Sequence, residues 1–237
     1  MSEIIFGRNA VIAYLKSGEL PLNVFLQKST QLKEIEQYLD RSKVQVNYVS
    51  KSVLDKKSDY SNHQGVIIEI EGYKTYEIDE VLESSKNNLL VMCDQLEDPH
   101  NLGAILRTCD ATGVDGVIIG KHRSVRLNAT VAKVSTGAIH SVKVSEVTNL
   151  VDTLNYLKDK GYWVVGAENG IDAIEYHQLN VDMPIVLVVG SEGKGISRLV
   201  RKACDILVTI PMRGMVNSLN VSVATGVLLF DIINRRK

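Results

Sequence analysis

The stretch LLVMCDQLEDPHNLGAILRTCDATGVDGVIIG, residues 89–120, decides the architecture. It opens on the apolar run LLVMC, passes a polar loop broken at Asp98-Pro99, enters a helical pattern, and returns through GVIIG to a second apolar run. Two short, continuously apolar runs joined by an amphipathic helix read as parallel strands buried on both faces. Within the helix, opened by Asn101-Leu102-Gly103, the residues Leu102, Ile105, Leu106 and Cys109 form one stripe. Arg107 falls on a different face.

Downstream the alternation continues through NATVAKVSTGAI, VKVSEV, LVDTLNYLKDKG, YWVVGAE, PIVLVVG, SRLVRKACD, ILVTIPM and a final helix. Strands alternating with helices of this length imply a mostly parallel α/β sheet covered on both faces, spanning residues 89–237. Upstream, residues 1–72 read as a smaller α/β domain. Its helices are NAVIAYLKSG (9–18) and LKEIEQYLDR (32–41), and its strands NVFLQK, VQVNYVS and GVIIEIE. The polar, acid-rich residues 73–88 between the two read as a linker with about one helical turn.

With 237 residues and 45% apolar side chains, the chain falls between one domain and two and can bury a real core. No apolar run approaches the ~20 residues needed to cross a bilayer, and the N-terminus lacks a basic segment followed by an apolar run. A cytoplasmic protein without membrane contact is therefore expected. Cys93, Cys109 and Cys204 form no C-x-x-C pair, and the five histidines show no H-E-x-x-H spacing, so reduced thiols and no metal are expected. The net charge of −1 argues against a nucleic-acid partner. Its distribution reverses that impression: residues 190–237 carry 8 basic and 3 acidic side chains, whereas residues 76–189 carry 9 and 16. Such asymmetry points to an anionic partner.

Parallel sheets bind ligands at the carboxyl ends of their strands, and three loops there carry unusual chemistry. The loop GSEGKGIS (190–197) is rich in glycine, as close approach of backbone to a ligand requires. It is not a P-loop, because Lys194 precedes Gly195 and Ile196 follows, and it lacks the G-x-G-x-x-G spacing. Glu192 inside the turn would repel phosphate, so a neutral or cationic ligand suits it better; a tight turn serving backbone geometry alone is the alternative. In the loop DQLEDPHNLGAILRT (94–108), Arg107 is either functional or an ordinary exposed helix arginine. The third loop, PMRGMVNSLNVS (211–222), places Asn217, Ser218, Asn220 and Ser222 just ahead of the last helix, where capping needs only one of them.

Taken together, NLGAILRTCDATG (101–113), LVVGSEGKGIS (187–197) and IPMRGMVNSLNVSVATGVLLF (210–230) resemble the three ordered motifs of the SpoU/TrmH family, and VSTGAIHSV resembles its Ser-x-Gly-Ala segment. These are S-adenosylmethionine-dependent RNA ribose 2′-O-methyltransferases of the SPOUT superfamily. The N-terminal markers FGRNAVIAYL (6–15) and NHQGVIIEI (62–70) are similar to the RNA substrate-binding domain that many members carry. That arrangement looks most like the members that modify a guanosine of 23S ribosomal RNA; transfer RNA is the alternative target.

The resemblance implies a parallel-sheet domain with a C-terminal deep trefoil knot, a small N-terminal α/β substrate-binding domain, and a homodimer to whose interface the last helix contributes; the apolar Val223, Val227 and Phe230 of that helix suit either the interface or plain core packing. It implies that Gly190, Ile210 and Leu219 hold S-adenosylmethionine through backbone groups. It places the functional polar side chains at Asn101, Arg107, Glu192, Ser218 and Asn220, with Arg107 as catalytic centre. A guanidinium offers no lone pair, so Arg107 suits anchoring a phosphate and stabilising alkoxide charge better than accepting a proton. A non-catalytic RNA-binding or ribosome-assembly factor is the competing class, and a nucleotide-dependent oxidoreductase is disfavoured by the missing phosphate fingerprint.

Overall fold

Continuously apolar strands need cover on both faces, and the larger sheet has it. The computed structural model describes residues 2–16, 18, 20–28, 30, 32–40, 44–170 and 172–236; Ser17 and Arg41, at the ends of two expected helices, lie outside them. The chain divides into two units between Tyr73 and Lys74.

The first unit contains β1 (Ser2–Phe6), α1 (Arg8–Lys16), β2 (Asn23–Gln27), α2 (Lys33–Asp40), β3 (Val46–Val49), α3 (Lys51–Lys57) and β4 (Val66–Glu71). Its sheet runs β1-β4-β2-β3, with β4 antiparallel to both neighbours and β2 parallel to β3. The expected helices and strands are present, and β1 and α3 are additions. The helix α3 carries one buried residue, Leu54, which is too little apolar periodicity to mark a helix in the sequence.

The second unit contains α4 (Ile78–Glu83), β5 (Leu89–Cys93), α5 (Pro99–Thr112), β6 (Gly116–Gly120), α6 (Ala129–Ser135), α7 (Ala138–Ser141), β7 (Lys143–Val147), α8 (Leu150–Asp159), β8 (Trp163–Ala167), β9 (Ile174–Glu175), β10 (Ile185–Val189), α9 (Arg198–Ala203), β11 (Ile206–Thr209) and α10 (Val221–Arg235). Seven parallel strands run in the order β7-β6-β5-β10-β8-β11-β9. Every residue of β5, β6 and β10 is buried. The decisive βαβ unit is as expected, with Leu102, Ile105, Leu106 and Cys109 buried on α5. Burying each of the three aliphatic side chains contributes about 1.5–3 kcal/mol, which outweighs any propensity term in fixing this helix.

The two-residue strand β9 was not expected, and three further details depart from expectation. The helix α5 starts at Pro99, whose missing N–H costs nothing at the first position, and Asp98 caps it by accepting from the His100 N–H at 2.8 Å. The single helix expected over NATVAKVSTGAI is broken in two, because Thr136 (φ 50°) and Gly137 (φ 99°) adopt left-handed conformations. The stretch read as a linker carries α4, which belongs to the second unit. Val81 is fully buried in its core, Glu77 and Glu80 form a reciprocal capping box, the Tyr76 N–H donates to the Val144 carbonyl at 2.9 Å, and the Tyr156 hydroxyl donates to Asp79. Three acidic side chains are interleaved with Ile78, Val81 and Leu82 there, so composition concealed a docked helix.

The strand order has one consequence for the site. The chain leaves β8, returns through β9 to insert β10 between β5 and β8, and then places β11 on the far side of β8. After β11 it crosses back, so that α10 packs against α5. Residues 94–98, 190–197 and 210–220 are thereby gathered at one edge, though they are distant in sequence.

Candidate functional site

The loop after β10 is held by close backbone contacts. A Cβ on Gly190 would lie 2.1 Å from the Gly195 carbonyl carbon and 2.3 Å from the Ile196 nitrogen, so only glycine allows the two limbs to meet. They pair through Gly195 N–H to Ser191 O at 2.9 Å and Ser191 N–H to Gly195 O at 3.2 Å, with Gly193 (φ 79°) and Gly195 (φ 65°) in left-handed conformations. The far end is anchored by Asp94, a buried carboxylate that directly follows β5 and accepts the Ser197 N–H at 2.6 Å. Glu192 is thereby presented at the tip of a braced loop.

Three predicted residues converge on that tip. The Asn101 amide donates to Glu192 Oε1 at 3.1 Å, and the Asn220 amide donates both to Glu192 Oε1 and to Asn101 Oδ1, the latter at 2.9 Å. Asn220 is also the N-cap of α10: its Oδ1 accepts from the Ser222 N–H at 2.9 Å, the Ser222 hydroxyl at 2.6 Å and the Val223 N–H at 3.4 Å. With its oxygen committed to the helix, its NH₂ group must turn toward the carboxylate. Capping and site are two ends of one side chain. Asn101 is 5% exposed and occupies the first turn of α5, which fixes its direction.

Beside this cluster lies a cavity of ≈ 610 Å³, within the range that holds small-molecule ligands. Gly190, Glu192, Ile210, Ser218, Leu219 and Asn220 all line it, together with Lys194, Glu168, Asn169, Val208 and Leu228. Among the described residues, the backbone N–H and C=O groups of Gly190, Ile210 and Leu219 have no hydrogen-bond partner in the chain. Free backbone groups lining an apolar-walled cavity are what a ligand with hydrogen-bonding edges would satisfy. The asparagine amides already point their donors at the Glu192 carboxylate, which leaves its charge available to a cation and unwelcoming to phosphate.

Two predicted residues stand apart from the cluster. Ser218 lines the cavity, is exposed, and makes no side-chain hydrogen bond among the described residues. Arg107 is exposed on α5, six residues beyond Asn101 and so about 9 Å further along the helix, and does not line the cavity. Among the described residues its side chain has no ion pair or hydrogen bond.

Other contributors were not anticipated. Asn169 accepts from the Thr209 hydroxyl at 2.6 Å and donates to the Asn217 carbonyl at 2.8 Å, tying the loop after β8 to the segment before α10. Asp94 was signalled only by an acid following five apolar residues. Part of the positive C-terminal segment is consumed internally: Arg235 donates to the carbonyls of Tyr176, His177 and Leu179, and Arg236 to those of Val181, Met183 and Asn87. Burial there lowers the Arg236 guanidinium from its ordinary value, opposed by Asp115 and Asp182. A basic loop follows β6 instead, with Lys121, His122, Arg123 and Arg126 exposed and no acidic residue from Gly116 to Ser145. The Val125 N–H and Ser124 hydroxyl both donate to the Leu96 carbonyl, at 2.7 and 3.3 Å, so this loop adjoins the one that precedes Asn101. Summing charge over residues 76–189 had hidden it.

Cys93 and Cys109 are buried as expected; burial pushes the Cys93 thiol up to about 12 and holds Cys109 well above its ordinary value. No helix among the described residues is long and apolar enough to cross a membrane, and no cluster among them could hold a metal ion.

Comparison with known proteins places this geometry. The family model described as the SpoU rRNA Methylase family matches residues 88–230, and that described as RNA 2′-O ribose methyltransferase substrate binding matches residues 4–76. A Staphylococcus haemolyticus protein named for the TrmH family of tRNA/rRNA methyltransferases is 46% identical over 240 residues, covering 98% of this chain and 96% of its own. A Staphylococcus aureus protein of the same name is 46% identical over 241 residues, with the same coverage. The fold matches the SpoU methyltransferase AviRb from Streptomyces viridochromogenes, solved with the cofactor AdoMet, at a TM-score of 0.65 and 20% identity over 99% of this chain and 90% of that one. The TrmH/SpoU tRNA modifying enzyme of A. aeolicus matches with a TM-score of 0.59 and 34% identity over 66% of this chain and 79% of its own.

Proposed function

The chain belongs to the SpoU rRNA methylase family, an RNA methyltransferase family, and from that premise we propose that it methylates a ribose 2′-hydroxyl of RNA, with a guanosine of 23S ribosomal RNA as target. The observation that carries the reading is the Asn101–Glu192–Asn220 cluster beside a cavity with free backbone groups at Gly190, Ile210 and Leu219. The cofactor is S-adenosylmethionine, which when bound supplies an electrophilic methyl group on a cationic sulfur. Gly190, Ile210 and Leu219 hold it by backbone hydrogen bonds, Val208 and Leu228 supply apolar wall, and Glu192 complements positive charge. Asn101 and Asn220 hold the Glu192 carboxylate in one orientation, so alignment is set before the substrate arrives.

Arg107 anchors the phosphate next to the target ribose and stabilises charge developing on the 2′-oxygen, with Ser218 on the ribose side of the cavity. The exposed guanidinium lies outside the cavity of its own chain, which supports an active site completed in a homodimer. Val223, Val227 and Phe230 on α10 are 52%, 36% and 47% exposed, an apolar stripe that suits that interface. The Lys121–Arg126 loop provides phosphate contacts that the internally committed Arg235 and Arg236 do not. The same reading takes the segment after β11 as threaded in a deep trefoil knot, supported by the crossing of β10 and β11 about β8.

Incubating the purified protein with S-adenosylmethionine and either ribosomal or transfer RNA, then mapping 2′-O-methylation, tests it. A methylated guanosine in 23S RNA is expected. Modification of transfer RNA alone would replace the target, and absence of transfer to any cellular RNA would overturn the activity.

A further inference from the structure

The two N-terminal markers, around Arg8 and around Gln64, are 56 positions apart in sequence yet meet in the fold. The Gln64 side chain accepts the Arg8 N–H at 2.8 Å, and its carbonyl accepts from Arg8 Nε at 3.4 Å. They line a second cavity of ≈ 600 Å³ in the first unit, with Lys51, Tyr60, Asn62 and Gln27 around it.

The loop beneath this cavity is braced from inside. His63 is 4% exposed; the Gly65 N–H donates to its Nδ1 at 3.0 Å, so the proton sits on Nε2 and is donated to Asp55 at 3.0 Å. Ser58, 3% exposed, donates to the Asp55 and Ser61 carbonyls. The outer residues are treated in the opposite way. Asp59, Tyr60 and Gln64 are held at φ 49°, 58° and 50°, left-handed conformations costly for side-chain-bearing residues, and Tyr60 is left 77% exposed. A fold that needed only a turn would use glycine there, as it does at Gly65 (φ 83°).

We propose that this cavity is a binding site for an unpaired nucleotide of the RNA substrate, with the base stacked on Tyr60, its edge read by Asn62 and Gln27, and the flanking phosphates held by Arg8 and Lys51. Sequence-selective contact with RNA is made to unpaired bases, and an exposed aromatic ring flanked by cations and side-chain amides is the recognition set they require. Asp55 also lines the cavity and keeps its negative charge against the neutral His63, and Asp59 is the one further acid on the loop, so the phosphates must be held by Arg8 and Lys51 against these two acids. The inference rests on the reading of the chain as an RNA methyltransferase, but its test does not require turnover.

Binding of the full-length protein to a fluorescein-labelled RNA hairpin with an unpaired loop, and to a blunt duplex of equal length, is measured by anisotropy. Tyr60→Leu is expected to weaken hairpin binding roughly 5- to 100-fold, leave duplex binding unchanged, and abolish the quenching of 2-aminopurine placed in the loop, whereas Tyr60→Phe retains all three. Lys51→Ala should weaken both RNAs and lower the salt slope by about one. Unchanged hairpin affinity in a Tyr60→Leu protein of wild-type circular dichroism, equal weakening of hairpin and duplex, or equally tight binding of free guanosine monophosphate would overturn the site. A stacking signal retained in a wild-type protein that methylates no RNA would leave the site standing and remove the activity.

Discussion

Asn220 offers the sharpest separation of structural from functional roles, because aspartate caps helices as well as asparagine does. An Asn220→Asp protein therefore keeps the α10 cap, with stability within about 1 kcal/mol of the parent, and gains a favourable charge at the helix N-terminus. It loses the two donors to Glu192 and Asn101 and sets one carboxylate against another. We expect an unchanged melting temperature and at least a tenfold loss of S-adenosylmethionine affinity by calorimetry; full affinity would reduce the residue to a cap. Arg107 is the complementary case. Exposed and without a partner among the described residues, it can be replaced by alanine at little structural cost. Arg107→Ala is expected to bind the cofactor as the wild type does and to lose methyl transfer by about two orders of magnitude, read in single-turnover assays.

At the scale of elements, the loop 190–197 depends on two limbs in contact. Gly190→Ala would drive a Cβ into the Gly195 backbone at 2.1–2.2 Å, a clash that no side-chain rotation relieves. The expected outcome is a folded sheet with a displaced loop and no measurable cofactor binding, checked by circular dichroism alongside titration. Such a contact was invisible in the sequence, where Gly190 is one of three glycines in six residues. What could be read was the sheet, because fully buried strands have no choice but to be continuously apolar. What could not be read was anything set by meeting distant parts: that α4 docks rather than links, that Thr136 breaks a helix, or that Asn101, Glu192 and Asn220 share hydrogen bonds. The roles proposed for them rest on the resemblance to the ordered motifs, and spacing alone left Arg107 and the capping residues undecided. The basic loop after β6 was missed for a simpler reason: charge counted over a long segment averages away a local patch.

For the molecule as a whole, the buried thiols set an alkaline limit. Cys93 and Cys204 are pushed up by burial from about 9 to about 12, so between those values the unfolded chain has released protons that the folded one retains. Unfolding is then favoured by rising pH. The contribution of these thiols to stability measured in urea should be constant from neutral pH to about pH 9 and decline above it, and the decline should be shallower in a Cys93→Ala, Cys204→Ala protein. The outward stripe of α10 makes a second global prediction. On the proposed homodimer, the wild type should scatter light as a dimer and Phe230→Glu as a monomer, with Leu228, Leu229 and Ile232 still packed on the core; a monomeric wild type would remove the dimer, and a variant dimer would place the interface elsewhere.

The three side chains that form the site are contributed in strict chain order, Asn101, then Glu192, then Asn220, and the last is oriented only when α10 exists to be capped. A nascent chain with its sheet complete and its last helix still inside the ribosome thus has a loosely held carboxylate and an open cavity. The Asn101–Glu192–Asn220 cluster is therefore the last part of this fold to be completed in chain order.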